Sequence, residues 1–152
     1  MTAAVTLASM GNGPAFSAYQ STGTSVASAV NTLITFNTEE FDTNNNFSSN
    51  RFTPTVAGYY QINAAVYISA LATTSYIYPI IYKNGTVYKL GTVLVSSPTA
   101  ALDIQVTVSS LVNANGSTDY FEIYLYQSSG STRTTNVGMS ITYFNGAMVR
   151  GA

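Results

Sequence analysis

Cysteine and histidine are both missing from the 152 residues of this chain. Without cysteine there are no disulfides and no thiolate metal ligands. Without histidine there is no Ser-His-Asp or Cys-His catalytic arrangement, and the usual zinc sites are excluded by the loss of both residues. A chain of this length buries about 68–70% of its unfolded surface, so packing alone can hold one domain together. Because these catalytic arrangements are excluded, we expect a protein that is not an enzyme.

Charge is also scarce, because Asp, Glu, Lys and Arg make up only 7% of the residues and the net charge is −1. An ordinary soluble domain carries about 25% charged residues. No basic stripe is present that could neutralise phosphates, so we expect no nucleic-acid partner. No apolar run approaches the roughly 18 residues of a membrane-spanning helix, so we expect no membrane insertion.

The first 13 residues contain no Lys or Arg, and Thr and Ser interrupt their apolar positions. They lack the basic start and the unbroken apolar stretch of a signal peptide. We interpret residues 1–13 as an N-terminal arm or the remnant of a shaft, ahead of one domain at residues 14–152. An external protein without a signal fits release by cell lysis, as in phage assembly, and it equally fits a segment of a longer chain.

Short alternating runs of Val, Ile, Thr, Tyr and Phe, separated by Gly, Asn and Pro, dominate the chain and predict strands. Asn84-Gly85 predicts a type I′ hairpin turn, because both residues tolerate the positive φ that this turn requires. The predicted strands are residues 32–37, 58–68, 80–83, 86–88, 102–108, 120–126 and 138–149. The predicted loops are residues 43–50, 113–119 and 129–135.

One segment has the spacing of a helix, with apolar residues at positions 26, 29, 30 and 33. The segment is short and is flanked by Ser, Thr and Gly, so we interpret it as loop and strand. Eight to ten short strands without a convincing helix predict an all-β sandwich or jelly roll.

Several motifs resemble the globular head of complement C1q. Residues 52–60 (FTPTVAGYY) resemble that family's signature, in which a Phe, a Pro and a Gly-x-Tyr lead into a long strand. The other matching segments, in the family's order, are residues 14–18 (PAFSA), 83–85 (KNG) and 144–146 (FNG). The resemblance covers residues 14–150, and the segment at 39–44 is more similar to the versions found in phage virion proteins.

The resemblance implies a jelly roll of about ten strands, shared with tumour-necrosis-factor-like (TNF-like) ligands, that assembles as a homotrimer. It further implies an external virion protein, the head of a phage fibre or appendage, which contacts other virion proteins and binds a host glycan or protein. The alternatives are a purely structural trimerisation cap or capsid decoration, and an extracellular C1q-like ligand or lectin.

The long strands each carry an apolar face and a second face rich in tyrosine. A solvated sheet face is normally polar, and tyrosine is enriched at interfaces. We therefore predict that the second faces line a threefold axis, unless the tyrosines simply lie beneath loops. The predicted trimer residues are Tyr59, Gln61, Tyr67, Tyr120, Glu122, Tyr124 and Tyr126.

Glu122 raises a question of charge, since three copies near an axis would repel one another unless protonated, hydrogen-bonded or bridged by a cation. The simpler interpretation is a Glu at the rim, bonded to Tyr or Arg. Some C1q-like proteins bind calcium, and Asp42 and Asn44 offer oxygen ligands in a loop. Their spacing lacks the rhythm of a calcium loop, so we favour a structural turn for this segment.

Loop residues are the candidates for receptor binding, because aromatic rings stack on sugars and amides bond their hydroxyls. The candidates are Tyr76, Tyr78, Asn113, Asn115 and Arg133, although both tyrosines can also be strand residues. The acidic neighbours Glu39 and Glu40 would point to opposite sides of a strand, which excludes them as a glycosidase pair.

Overall fold

A computed structural model describes residues 13–152, and every regular element in that range is a β-strand. The predicted arm at residues 1–13 lies outside this range except for Gly13. None of the described residues forms a helix with the length and apolar character needed to cross a membrane. The strands are β1 (Ala15–Tyr19), β2 (Ser25–Val26), β3 (Thr32–Leu33), β4 (Thr38–Asp42), β5 (Phe47–Ser48), β6 (Arg51–Phe52), β7 (Gly58–Leu71), β8 (Tyr76–Lys83), β9 (Thr86–Leu90), β10 (Leu94–Val95), β11 (Leu102–Ala114), β12 (Phe121–Gln127), β13 (Arg133–Thr134) and β14 (Tyr143–Gly151).

Two antiparallel sheets face each other. The first sheet has the order β11-β7-β14-β1-β4. The second has the order β10-β8-β12-β6-β5, with β3 beside β12 and β9 beside β8. Strands β2 and β13 form a short separate ladder. The predicted all-β sandwich is confirmed, and strands far apart in sequence are neighbours in both sheets.

Strand β7 shows how the sequence pattern sets the two faces of a strand. It begins at Gly58, where the sequence predicted the start of a long strand. Tyr60, Ile62 and Val66 are fully buried between the sheets, whereas Tyr59 and Gln61 point to the outer side. Because side chains alternate along a strand, one face of β7 belongs to the core and the other to the surface.

The hairpin between β8 and β9 has the predicted turn chemistry. Asn84 and Gly85 have φ values of 53° and 77°, as a type I′ turn requires. The Asn84 side chain also accepts a hydrogen bond from the backbone N–H of Tyr120 and donates one to Asp119. The turn is therefore tied to the loop that precedes β12.

Several predicted boundaries are wrong. Strand β5 lies within the predicted loop at residues 43–50 because Phe47 is buried there, and β13 lies within the predicted loop at 129–135. Strand β11 continues to Ala114, and β3 covers only the first two residues of the predicted strand at 32–37. Strand β14 starts at residue 143 rather than 138, because the Gly138 carbonyl accepts hydrogen bonds from two following N–H groups and closes a turn.

The segment with helical spacing forms β2, a turn and β3, as we interpreted it. Ala29 has a φ of 60°, which is incompatible with a right-handed helix at that position. Val26 is buried, but Val30 is exposed, so the apolar residues do not share one packed stripe.

An aromatic cluster fills one part of the core. Phe16 of β1 stacks on Phe52 of β6 with ring centroids 4.3 Å apart and on Phe47 of β5 at 5.0 Å. Phe144 of β14 meets Phe16 edge-on at 4.8 Å. These contacts connect β1 with β14 in the first sheet, and they connect the first sheet with β5 and β6 of the second.

A buried tyrosine makes the stability of the fold sensitive to alkaline pH. Tyr60 is fully buried and its hydroxyl donates to the Val56 carbonyl oxygen at 2.7 Å. Burial raises the pKa of Tyr60 to about 12, from 10.0. Since the folded state holds the proton more tightly, this stabilisation of about 3 kcal/mol is complete below pH 10 and is lost as the pH rises from 10 to 12.

We expect chemical denaturation, followed by circular dichroism, to give a lower free energy of unfolding at pH 12 than at pH 10. Tyrosinate absorbance should show late ionisation of one tyrosine. In the Tyr60→Phe variant the pH dependence of unfolding should be shallower above pH 10. Full ionisation of all tyrosines near pH 10 with the fold intact would contradict this expectation.

Candidate functional site

The outer surface of the first sheet, here called the first-sheet face, carries the predicted trimer residues of β7. It is built from alternate residues of five adjacent strands, so its members lie in rows across the sheet. The members used below are Phe41, Tyr59, Gln61, Asn63, Tyr67, Ser109, Leu111 and Asn145.

A row of amides crosses the middle of the first-sheet face. Gln61 donates to Ser109 at 2.9 Å, and Ser109 donates to Asn63 at 2.8 Å. Asn63 in turn donates to Asn145 on β14 at 3.1 Å. The row is uncharged, with Ser109 exposed and the three amide side chains half buried, and its mutual hydrogen bonds hold the side chains in one arrangement.

A shallow groove of about 320 Å³ lies beside this row. Its lining includes Phe41, Gln61, Asn63 and Asn145. Phe41 is 52% exposed and Leu111 is 54% exposed, and Tyr59 is also exposed. The first-sheet face thus combines uncharged polar side chains with exposed aromatic and aliphatic ones. Depletion of charge and enrichment of aromatic residues are typical of the buried centre of protein interfaces.

The outer surface of the second sheet is built differently. Tyr78 stacks on Tyr126 with ring centroids 4.8 Å apart, and Tyr82 stacks on Tyr124 at 3.8 Å. We call Tyr76, Tyr78, Tyr82, Tyr124 and Tyr126 the tyrosine face, since alternation on β8 and β12 places them on the same side. Burial, followed by the neighbouring tyrosines, raises the pKa of Tyr78. Burial, followed by the charge of Glu122, raises the pKa of Tyr124.

Glu122 forms an ion pair at the border of the tyrosine face. Arg51 donates to one carboxylate oxygen of Glu122 from Nε at 3.0 Å and from Nη2 at 2.8 Å. The Arg51 guanidinium also lies 3.7 Å from the centre of the Tyr120 ring. The simpler interpretation of Glu122, a glutamate bonded to Arg or Tyr, matches this geometry.

The predicted trimer set does not form one surface. Tyr59, Gln61 and Tyr67 lie on β7 of the first sheet, whereas Glu122, Tyr124 and Tyr126 lie on β12 of the second sheet. Tyr120, which immediately precedes β12, lies with the second group. The two groups point away from each other on opposite sides of the sandwich. Treating them as a single face around one axis was wrong, because alternation tells inside from outside but not one sheet from the other.

The predicted receptor-binding residues also separate, to opposite ends of the sandwich. Tyr76 and Tyr78 are strand residues of β8, and Tyr76 is bonded to Ser128 near the end of β12. Arg133 lies in β13 near that end and donates to Ser129. Asn113 and Asn115 lie at the other end, beside the hairpin turn.

The side chain of Asn115 stabilises the loop that precedes β12. Its side-chain oxygen accepts hydrogen bonds from three consecutive backbone N–H groups, those of residues 117–119. Asp119 next to it forms an ion pair with Lys83 at 2.8 Å. Burial disfavours the charged form of Asp119, but hydrogen bonds from Asn84 and Lys83 outweigh it and lower the pKa of this carboxyl. The loop is therefore ordered from within, and receptor contact by Asn113 or Asn115 stays a prediction.

The weak metal candidates have other partners. Asp42 accepts hydrogen bonds from the N–H groups of Asn44 and Phe47, which is the turn interpretation of this segment. Glu122 is bonded to Arg51. Within residues 13–152, no group of three or more acidic side chains is arranged to hold a metal ion.

Sequence reasoning missed several residues of these surfaces. Asn63 and Tyr82 could have been found, because they continue the alternation that identified Gln61 and Tyr78. Arg51 could not, because its partner Glu122 lies 71 residues away and only the pairing of β6 with β12 brings them together.

The comparisons with known proteins agree on the fold. No protein-family model matches the chain, and no curated protein matches its sequence. Among solved structures, murine APRIL superposes with a TM-score of 0.66 at 8% identity, covering 90% of this chain and 99% of that chain. Eiger TNF from S. frugiperda gives 0.60 at 9% identity, covering 91% and 92%. The PRD1 vertex protein P5 gives 0.60 at 17% identity, covering 90% and 97%. The chain therefore has the predicted TNF-like jelly-roll fold.

Proposed function

We propose that this protein is a non-enzymatic structural protein of a phage virion, a trimeric head on a fibre or appendage that binds a host surface. The observation that carries the proposal is the similarity to the PRD1 vertex protein P5, which spans 90% of this chain and 97% of that chain. The resemblance of residues 39–44 to phage versions of the C1q head supports the same assignment. The protein would lie on the outside of the virion and contact other virion proteins.

A homotrimer is the expected assembly. In a threefold ring each copy packs head-to-tail against the next. Every contact therefore joins two different surfaces of neighbouring copies. The first-sheet face offers one such surface, with its groove beside Phe41 and its exposed Tyr59. Strand β9, at an edge of the second sheet, offers another, since all of its residues are exposed. We assign the first-sheet face, rather than the tyrosine face, to the subunit contact.

Side-chain chemistry supports the non-enzymatic part of the proposal. The sequence has neither histidine nor cysteine, so nucleophilic triads are excluded. Glu40 accepts a hydrogen bond from Ser17, while Asp119 and Glu122 are held by Lys83 and Arg51. These carboxylates have structural partners, and we assign them no catalytic role.

Host binding is tested by adhesion of the purified full chain, fluorescently labelled, to a panel of bacterial strains. We expect saturable attachment to some strains that excess unlabelled protein competes away. Three copies on one head strengthen weak single sites, so attachment should survive washing only while the protein is trimeric.

A purely structural cap or capsid decoration is the competing function. Two shallow grooves of about 350 and 320 Å³ lie on the described surface, and a cap needs no deeper ligand pocket. A cap would be trimeric and would adhere to none of the strains, and that result would overturn the proposal of a host-binding head. An extracellular C1q-like ligand would instead bind animal cells and not bacteria.

A further inference from the structure

The side chains of the tyrosine face pack over a buried residue, Ile80. It is almost fully buried, yet it lies outside the main core cluster because it points to the outer side of β8. Its cross-strand neighbours are Tyr124 on β12 and Leu90 on β9. The half-buried tyrosine rings therefore pack against an apolar side chain. This packing fixes their positions before a ligand binds.

Stacking fixes the rings further. The two pairs, Tyr78 with Tyr126 and Tyr82 with Tyr124, have interplanar angles of 15° and 23°. The Tyr82 hydroxyl accepts a hydrogen bond from Asn31 at 2.8 Å. Within the described residues, the hydroxyls of Tyr78, Tyr124 and Tyr126 have no protein partner. The face thus presents rigid rings and hydroxyl groups that can donate and accept.

The electrostatics of the face select the kind of ligand. Glu122, the acidic group beside Tyr124, is neutralised by Arg51. The whole chain carries only five Lys and Arg and six Asp and Glu. A charged ligand, such as an acidic polysaccharide, would find no surplus of opposite charge here. An uncharged ligand with apolar C–H faces and hydroxyl edges complements both properties of the tyrosine face.

We infer that the tyrosine face is a binding site for neutral oligosaccharides. Exposed Tyr76, at one end of the face, supplies a ring on which a sugar can stack, and the stacked pairs supply hydroxyls along β8 and β12. The site lies on the side opposite the first-sheet face, so it stays open when that face is covered by a neighbouring copy. This inference rests on the proposed host-binding function and names the ligand class and the residues.

The test begins with a glycan array that carries neutral oligosaccharides of glucose, mannose and galactose beside uronic-acid and sulfated chains of equal length. We expect the labelled full chain to be retained by neutral glycans alone. Retention by acidic glycans alone, or by none, would overturn the inference. Adhesion to bacteria without retention on the array would leave the host-binding proposal standing and reject this site.

The strongest neutral glycan is then titrated in solution as a free hexasaccharide, which reports single-site affinity whatever the oligomeric state. Tyr76→Ala should weaken binding at least fivefold, and Tyr78→Phe combined with Tyr126→Phe should weaken it while keeping both rings. Phe41→Ala is the matched control, because Phe41 and Tyr76 are both 52% exposed aromatic residues but lie on opposite sheets. Equal loss in Tyr76→Ala and Phe41→Ala, with both variants folded by circular dichroism, would contradict the site.

Discussion

Replacing Leu111 with arginine should convert a trimer, with three times the 16.1 kDa mass of the chain, into monomers. Leu111 is 54% exposed on the outer side of β11, opposite Gln61, on the face that we assign to the subunit contact. A trimer brings three new charges into apolar contacts, and each unpaired buried charge costs several kcal/mol. Because 1.4 kcal/mol is a factor of ten, association should weaken roughly 100-fold or more. Light scattering measures the mass directly.

Val95→Arg is the matched control for Leu111→Arg. Val95 is 55% exposed in a strand, as Leu111 is, but it lies in β10 on the second sheet. We expect this variant to keep the trimer mass. Loss of the trimer in Val95→Arg, with Leu111→Arg unaffected, would place β10 rather than the first-sheet face at the subunit contact and reverse our assignment. A wild-type mass of 16.1 kDa at high concentration would reject the trimer itself.

The fold was predictable because local signals agreed with the final structure. The alternation in β7 separates core from surface, and the Asn84-Gly85 turn fixes the register of β8 and β9. Short elements were not predictable. Strand β5 sits in an Asn- and Ser-rich stretch that reads as loop, and it exists because Phe47 stacks on Phe16, a residue 31 positions earlier.

The surfaces were predictable only strand by strand. The alternation correctly placed Gln61 and Tyr124 on outward sides, and both are outside the core cluster. It could not show that β7 pairs with β11 and β14 while β12 pairs with β8. Those partners lie dozens of residues apart, so the division of the tyrosines between two sheets depends on the topology, and no local pattern records it.

Replacing Arg51 should lower the free energy of unfolding more than replacing its partner Glu122. The side chain of Glu122 is 6% exposed and that of Arg51 is 43% exposed. Arg51→Ala leaves a buried carboxylate without its cation and removes the stacking on Tyr120. We expect the free energy of unfolding to fall by about 3 kcal/mol, the lower end of the cost of breaking a buried pair, because water can replace part of the exposed guanidinium.

Glu122→Gln should cost less, about 1 kcal/mol, because the remaining guanidinium can turn into water. Arg51→Lys should fall between the two, since lysine keeps the charge but loses the second hydrogen bond and the planar stacking. Arg150→Ala removes an exposed arginine from β14 and should change stability by less than about 0.5 kcal/mol. Chemical denaturation of the four variants measures these differences.

The alternative explanation of Glu122, a cation held by three copies near an axis, makes the opposite prediction. Removing a nearby arginine would then be neutral or stabilising for the site, and Glu122→Gln would abolish metal detected by elemental analysis of the wild-type protein. Arg51→Ala should destabilise the protein by more than the loss of its stacking on Tyr120 only if the arginine is the counter-ion of Glu122. Because Nε and Nη2 of Arg51 already approach the same oxygen of Glu122, at 3.0 and 2.8 Å, the structure supports the ion pair and places this glutamate on the sheet opposite the proposed subunit contact.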